Sequence, residues 1–207
     1  RFRLPSWMIR DQALAASGLL IDRKGGPAVR GYQPAGVWED ATFGRKTYQR
    51  DAGEALYRRS LYTFWRRIIG PTMFFDNAAR QTCTVKVLRT NTPLHALMIF
   101  NDVTYVEASR ALAQELLLDP ELQGSTKRLE NVYLRLLARR PSNEEIVVWT
   151  KALLRARSQF EQQKEAGSEL LSIGESPRND TLDPTEHAAW TALVLALLNL
   201  DETLTRQ

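Results

Sequence analysis

The stretch RQTCTVKVLRTNTPLHALMIFND (80–102) contains two helix-start signals close together. Thr92-Pro93 predicts the start of a short helix, because threonine caps a helix and proline fits its first turn. Asn101 or Asp102 predicts the start of a second helix, which continues to about Leu118. We therefore expect helices around this stretch, preceded by a short extended piece at Thr84–Leu88.

The sequence that follows shows the same kind of signals. Apolar residues recur every three or four positions between 129 and 137, as on one face of a helix. Ser142 and Glu145 form a capping box that opens another helix. Asp183 starts a further helix, whose apolar residues continue to Leu200. That apolar run is too short to span a bilayer, so the sequence predicts a buried helix and no membrane span.

The first fifty residues combine one helix with a long loop. Ser6 is placed to cap a helix that runs to Leu20, apolar over most of its circumference. Residues 23–50 contain glycines, prolines and few periodic apolar positions, which predicts a loop. A loop of this length is usually functional or held in place by large side chains. Four aromatic residues are candidates for that role: Tyr32, Trp38, Phe43 and Tyr48.

The stretch LYRRSLYTFWRR (56–67) is rich in arginine and aromatic residues. Asp51 and Glu54 have the spacing of a capping box, and Gly70-Pro71 is a typical stop signal. Apolar residues between these signals recur with helical spacing, so we predict a helix here. The apolar positions are Tyr57, Leu61, Phe64, Trp65 and Ile68.

These signals together predict an all-α fold, predominantly helical, formed as an irregular bundle with a long N-terminal loop region. At most one short pair of extended strands is expected. A chain of 207 residues fits a single domain, here 1–207.

Charge divides the chain into a basic half, 1–90, with a net charge of +9, and an acidic half, 91–207, with −5. Arginine supplies 22 of the 28 cations. Three explanations stay open: a GC-rich genome, attraction between the two halves across an internal interface, and recognition of anionic or planar polar groups by guanidinium forks.

The sequence contains no recognisable catalytic motif and leaves open whether the protein is an enzyme. Cys83 is the only cysteine, and His95 and His187 lie on separate predicted helices, so we predict no metal site. Without a CxxCH motif, this chain cannot hold covalent haem. No nucleic-acid-binding motif is present, and we expect no such partner.

The predicted helix at 51–69 carries a basic face opposite its apolar stripe. Guanidinium groups on this face suit sulfate, carboxylate or phosphate, and aromatic rings suit the faces of sugars. The alternative is a solvated face whose arginine stems pack over the apolar stripe. The candidate ligand-binding residues are Arg58, Arg59, Tyr62 and Arg66, with Arg89 and Asn91 downstream.

Several long motifs, in order, resemble the C-terminal domain of unknown function of large planctomycete proteins that often also carry a cytochrome-c-like domain. The resemblance runs nearly from end to end. The motifs are ALYRRSLYTFWRR (55–67), TCTV (82–85), RTNTPLHALMIFND (89–102), LARRPSNEE (137–145), GESPRNDTLDPTEHAAW (174–190) and LLNLDETLT (197–205).

The resemblance implies an extracytoplasmic location, periplasmic or secreted, because haem c is attached outside the cytoplasm. Any haem would belong to another domain of the full-length protein. Relatives continue upstream within the same domain, so the chain is expected to be truncated at its N-terminus. They usually carry glutamine where this chain has His95, which makes a shared role for this histidine doubtful.

Two functions are compatible with these observations. The first is a helical interaction module that docks the upstream part of its own protein or another domain and binds a carbohydrate or anionic ligand. The second is part of a carbohydrate-directed or redox enzyme whose active site is completed by the upstream segment. The second function predicts a cleft where Arg58, Arg59 or Arg89 meets a carboxylate such as Glu54 or Asp102.

Overall fold

The chain is predominantly helical, as the sequence predicts. A computed structural model describes residues 2–66, 69–71, 73–76, 83, 85 and 89–206. Its helices are α1 (Ser6–Ala16), α2 (Val37–Thr42), α3 (Pro93–Asn101), α4 (Val103–Leu118), α5 (Ser125–Leu137), α6 (Asn143–Gln162), α7 (Lys164–Ser172), α8 (Pro184–Leu198) and α9 (Asp201–Leu204). In the described part, the only sheet is an antiparallel pair of two-residue strands, β1 (Phe2–Arg3) and β2 (Thr205–Arg206).

Helix α8 lies at the centre of the core. Its side chains are apolar around the whole circumference, and a helix of this kind has to be covered on all sides. It packs against α3, α4, α6 and α7. Trp190 and Val194 are fully buried there. The apolar run predicted to be a buried helix is confirmed.

The helix starts of the second half are confirmed in atomic detail. The carboxylates of Asp102 and Asp183 each accept a backbone N–H from the first turn of α4 and α8, at 2.9 and 2.8 Å. Ser142 and Glu145 make both hydrogen bonds of the capping box at the start of α6. Helix α3 starts at Pro93, as predicted, although the side chain of Thr92 makes no capping hydrogen bond. These signals are local, which explains why sequence reasoning located them.

The helix predicted at 51–69 is wrong. Residues Gly53–Tyr57 and Ser60–Tyr62 form short 3₁₀ turns, separated by extended backbone. The carbonyl of Tyr57 accepts the N–H of Ile21, at 3.0 Å, and the carbonyl of Tyr62 accepts that of Val29, at 2.7 Å. Carbonyl groups that a helix would use internally are thus bonded to an earlier part of the chain.

Two predicted caps in the first half are also wrong. Asp51 accepts the backbone N–H of Arg30, at 2.7 Å, and caps no helix. Helix α1 follows Pro5 at the N-cap position and ends at Ala16, not Leu20. In both places a tertiary contact replaces the local hydrogen bond that the sequence pattern favours.

The predicted loop at 23–50 contains only the short helix α2. Trp38 is buried, and its ring lies 5.3 Å from that of Tyr48. Tyr32 bonds to Glu107 on α4. These three aromatic residues therefore hold the loop in place, as predicted. The prediction is wrong for Phe43, which is 92% exposed and has left-handed backbone.

The predicted extended piece Thr84–Leu88 lies outside the described residues, apart from Val85. Helices α5 and α6 pack against each other after their short connection. The indole N–H of Trp149 on α6 donates to the hydroxyl of Tyr133 on α5, at 2.6 Å. Over the described ranges, no helix is long and apolar enough to cross a bilayer.

Replacing Asp183 by alanine removes the side-chain acceptor at the start of α8. We expect the free energy of unfolding to fall by about 1 kcal/mol, measured by urea unfolding followed by circular dichroism. Asp180→Ala is the matched control. The side chain of Asp180 is 89% exposed, so its ion pair with Arg178, at 3.5 Å, should contribute little to stability. The control should change stability by no more than about 0.5 kcal/mol. Equal unfolding midpoints for the two variants would contradict a capping role.

Candidate functional site

Arg58, the first of the predicted binding residues, is buried. It is 1% exposed, and its guanidinium donates to the carbonyls of Pro27 at 3.0 Å, Arg23 at 2.9 Å, and Gly25. Its guanidinium carbon lies 3.8 Å from the centre of the Tyr62 ring. The Tyr62 hydroxyl accepts the N–H of Gly25, at 2.8 Å. Arg58 and Tyr62 therefore stabilise the loop at 22–27.

Arg66, Arg89 and Asn91 contact other parts of the molecule. The guanidinium of Arg66 lies 5.6 Å from the Trp38 ring, and that of Arg89 lies 5.2 Å from the Phe2 ring. Asn91 accepts a hydrogen bond from Arg3 and donates one to Asp201. The structure therefore distributes the six predicted residues over separate places and does not gather them on one face.

Arg59 lies in a cleft between α1 and the segment that follows Arg58. The cleft has a volume of about 370 Å³, within the range of small-molecule sites. Three aromatic residues, four polar residues and one leucine line it: Trp7, Trp65, Phe74, Asp11, Arg59, Ser60, Thr63 and Leu61. This combination of aromatic surface with a few polar groups is typical of ligand sites.

The periodicity of a helix and the alternation of extended backbone explain why these side chains face the cleft. Trp7 and Asp11 are four residues apart on α1, so they share one helix face. Thr63 and Trp65 alternate with Phe64 in extended backbone and therefore face the same side. The Trp65 ring stacks on Phe74 with centroids 5.7 Å apart.

Gly70 makes the position of Trp65 possible. A Cβ atom on Gly70 would lie 2.9 Å from Cζ2 of the Trp65 ring. Real Cβ atoms essentially never approach another heavy atom so closely, and any larger residue would displace the ring. The aromatic wall of the cleft therefore depends on a glycine at this position.

The polar side of the cleft is formed by Asp11 and Arg59. Asp11 Oδ1 accepts the backbone N–H of Ser60 at 2.8 Å and its hydroxyl at 2.6 Å. Asp11 Oδ2 lies 3.8 Å from Nε of Arg59, and Nη1 of Arg59 lies 3.9 Å from Asp22. Both distances are too long for a hydrogen bond. Arg59, whose side chain is 48% exposed, thus presents donors to solvent beside a carboxylate acceptor.

A buried carboxylate, Glu107 on α4, holds the segment that carries the cleft. Its two oxygens accept hydrogen bonds from the hydroxyls of Tyr32 at 2.9 Å and Tyr57 at 2.8 Å, and from the N–H of Ser176. Arg110 lies 3.8 Å away, one helical turn further along α4. We call these five residues the Glu107 centre. Since a buried charge is tolerated only when paired and hydrogen-bonded, each donor is needed.

The two tyrosines of the Glu107 centre stay protonated over a wide pH range. Burial and the adjacent carboxylate both raise the pKa of Tyr32 and of Tyr57 above the usual value. Their hydroxyls therefore keep the proton that they donate to Glu107 well above neutral pH.

The loop before Ser176 reaches over the same carboxylate. Gly174 has a φ of +93°, and a Cβ atom there would lie 2.3 Å from Cδ of Glu107. The next residue, Glu175, pairs with Arg50 and accepts the N–H of Gly53 at 3.1 Å. This loop therefore connects α4 with the loop region in the basic half.

Arg110 also connects the Glu107 centre to α8. It donates to the carbonyl and hydroxyl of Ser176, at 2.7 and 2.6 Å. Nε2 of His187 lies 3.0 Å from the Arg110 carbonyl, so Nε2 carries the hydrogen of this bond. Burial lowers the pKa of His187, which favours the neutral ring.

The other residues considered for metal binding or chemistry lie apart. His95 stacks on Phe75 with centroids 4.2 Å apart and is 3.8 Å from Asp76. Cys83 is exposed. Within the described ranges, no three His, Cys, Asp or Glu residues lie close enough together to hold a metal ion.

Sequence reasoning missed Trp7, Asp11 and Glu107. The spacing of Trp7 and Asp11 was a usable signal, because an aromatic and an acidic residue on one face of an otherwise apolar helix indicate an opening in the core. Nothing local distinguishes Glu107, since its partners are 50 to 75 residues away in the chain.

The chain matches a known protein family. The family model described as "PSD1: Protein of unknown function (DUF1553)" matches residues 1–153, and the chain belongs to this family. The match includes every residue of the cleft and Glu107, but not the loop at 174–176. No curated protein and no solved structure matches the chain.

Replacing Gly174 by alanine tests the close contact with Glu107. Left-handed backbone costs an alanine about 1–2 kcal/mol, and the overlap with Glu107 should add about 1–3 kcal/mol to the loss of unfolding free energy. Gly124→Ala is the matched control, because Gly124 has a φ of +84° and nothing within 4 Å of the added Cβ atom. Urea unfolding measures both variants. If they lose the same stability, Gly174 does not pack against a fixed carboxylate.

Proposed function

We propose that this chain is a single-domain interaction module that binds a carbohydrate in the cleft between α1 and residues 59–65. The observation that supports this best is the pairing of an aromatic wall with an adjacent donor and acceptor. The exposed ring of Trp7 offers an apolar face to the C–H face of a sugar, and Trp65, stacked on Phe74, forms the wall beside it. Arg59 and Asp11 offer a donor and an acceptor to its hydroxyls.

In this proposal the module belongs to a larger extracytoplasmic protein linked to cytochrome c and docks other domains of that protein. The net charge of +9 in residues 1–90 supports docking to an acidic partner, because the described ion pairs with the acidic half use only part of it. Arg50 of the basic half pairs with Glu175 of the acidic half. Titrating the chain with the upstream part of the full-length protein, by calorimetry, tests the docking. If no heat of binding is measured, the docking part of the proposal is refuted.

A carbohydrate-directed enzyme is the alternative function, and the cleft favours it less. Glycoside hydrolases of the common type use two carboxyl groups that flank the scissile bond. Among the described residues that line the cleft, Asp11 alone has a carboxylate. Glu54 is exposed elsewhere, and Asp102 caps α4. Hydrolysis would therefore require a second carboxyl group from outside these residues.

Replacing Trp7 by alanine removes aromatic surface from the cleft, and Arg59→Ala removes the donors. A truncated aromatic anchor in a binding site commonly costs about 2 kcal/mol or more, so we expect affinity for a bound polysaccharide to fall at least about tenfold. Calorimetry with a panel of soluble polysaccharides, neutral and anionic, identifies the ligand and measures the loss.

Arg155→Ala is the matched control for this experiment. Arg155 is exposed on α6, away from the cleft, and its replacement removes the same charge. The control should bind like the unmodified protein. The proposal is refuted if no polysaccharide binds, or if Trp7→Ala and Arg59→Ala retain the affinity of the control.

A further inference from the structure

We infer that the cleft is selective for an uncharged sugar ring, bound through two neighbouring hydroxyl groups. This inference rests on the proposed function and deepens it. It differs from the expectation that an arginine-rich surface recognises anions, because the charged side chains that the structure describes around the cleft are balanced in sign.

Four charged side chains surround the polar end of the cleft in the described part of the chain. Arg59 and Arg10 are positive, and Asp11 and Asp22 are negative. Arg10 is 2% exposed and donates to the carbonyls of Leu56 and Arg58, at 2.7 and 2.9 Å. Its charge is therefore directed into the protein, and a ligand meets mainly Arg59 and Asp11.

Three described arginines of the basic half make contacts away from the cleft. Arg58 donates to loop carbonyls, Arg50 pairs with Glu175, and Arg66 lies over Trp38. Attraction of a polyanion to the cleft would therefore depend on Arg59. A sulfate or carboxylate that contacts Arg59 would also approach Asp11 Oδ2, which lies 3.8 Å from Nε.

Repulsion from Asp11 would offset the attraction to Arg59. Opposite and like charges at similar short distances contribute similar energies of opposite sign. The ligand anion would in addition lose water against the aromatic wall, and an ion that loses water without a dedicated partner is strongly disfavoured. An anionic group on the ligand therefore gains little in this cleft.

A pair of neighbouring hydroxyls fits the same two groups without this conflict. One hydroxyl donates to Asp11 Oδ2, which accepts no hydrogen bond from the described residues. The next hydroxyl accepts from Arg59. The gap of 3.8 Å between the two side chains is too long for them to bond directly, so their hydrogen-bonding capacity is left for a ligand. Both bonds are charge-assisted and stronger than bonds between neutral groups.

The aromatic wall supports the same ligand chemistry. Trp7 is 41% exposed, whereas tryptophan is highly buried on average. Trp65 and Phe74 extend this surface into the cleft. The C–H face of a neutral pyranose covers such rings without bringing a charge next to them.

The test compares neutral polysaccharides, such as glucans, xylan and mannan, with carboxylated and sulfated ones by isothermal titration calorimetry. Each titration is run at about 0.05 M and about 0.5 M salt, because screening separates ionic from neutral recognition. We expect a neutral polymer to bind with an affinity that changes less than about twofold between these conditions.

Asp11→Asn and Asp22→Asn provide a matched pair of variants. Both remove one negative charge near Arg59, and asparagine at position 11 retains an acceptor for Ser60. We expect Asp11→Asn to weaken the neutral ligand about tenfold, as expected for a lost charge-assisted hydrogen bond. Asp22→Asn should leave this affinity unchanged. Thermal melting verifies that both variants are folded.

The outcomes separate this inference from the proposed function. Salt-dependent binding of a carboxylated or sulfated polymer that Arg59→Ala abolishes, with no neutral ligand, would overturn the inference and leave carbohydrate binding intact. Equal effects of the two aspartate variants on a neutral ligand would also overturn it. If no polymer of either kind binds, both the inference and the proposed function are refuted.

Discussion

The buried carboxylate of Glu107 is the constraint on which the arrangement of this protein depends. It lies on α4 in the helical core, yet two of its hydrogen-bond donors, Tyr32 and Tyr57, come from the loop region, and a third is the backbone of Ser176. A carboxylate removed from water needs all of these partners. The requirement fixes three segments, distant in sequence, against one helix. Gly174 is part of the same constraint, because only glycine lets the loop cross so close to the side chain.

The cleft is a consequence of this arrangement. Tyr57 is bonded to Glu107, and Arg59 and Ser60 lie two and three residues further along the chain. Arg10 donates to the carbonyls of Leu56 and Arg58, on either side of Tyr57. These two bonds align residues 56–58 with α1. Asp11, the next residue on α1, then bonds to Ser60 and forms the polar end of the cleft. Opposite charges of the two halves meet inside the molecule, as in the ion pair of Arg50 with Glu175, and the two described charges that line the cleft, on Asp11 and Arg59, balance each other.

Sequence reasoning succeeded where the physical cause is local. Capping side chains such as Ser142 and Asp183 bond within four residues, and the periodicity of α5 is a property of a single helix. It failed at 51–69. The apolar residues there have helical spacing, but the backbone carbonyls of Tyr57 and Tyr62 bond to Ile21 and Val29 and not within a helix. It also assigned Arg58 to a binding face, since an arginine that donates to three distant carbonyls has the same sequence context as an exposed one. Arg59 was chosen for its residue type, and its role in binding stays a prediction, whereas Asp11 was missed because its contacts to residues 59 and 60 cross nearly fifty positions.

Hydrogen–deuterium exchange of the Glu107→Gln variant tests the central claim most directly. Glutamine retains the size of the side chain but removes the charge that the two tyrosines and Arg110 stabilise. If the Glu107 centre holds the loop region against the core, exchange should accelerate at residues 20–66 and 173–178, with α5 and α6 unchanged. Unchanged protection of residues 20–66 in a folded variant would show that other contacts fix this region and would contradict the account.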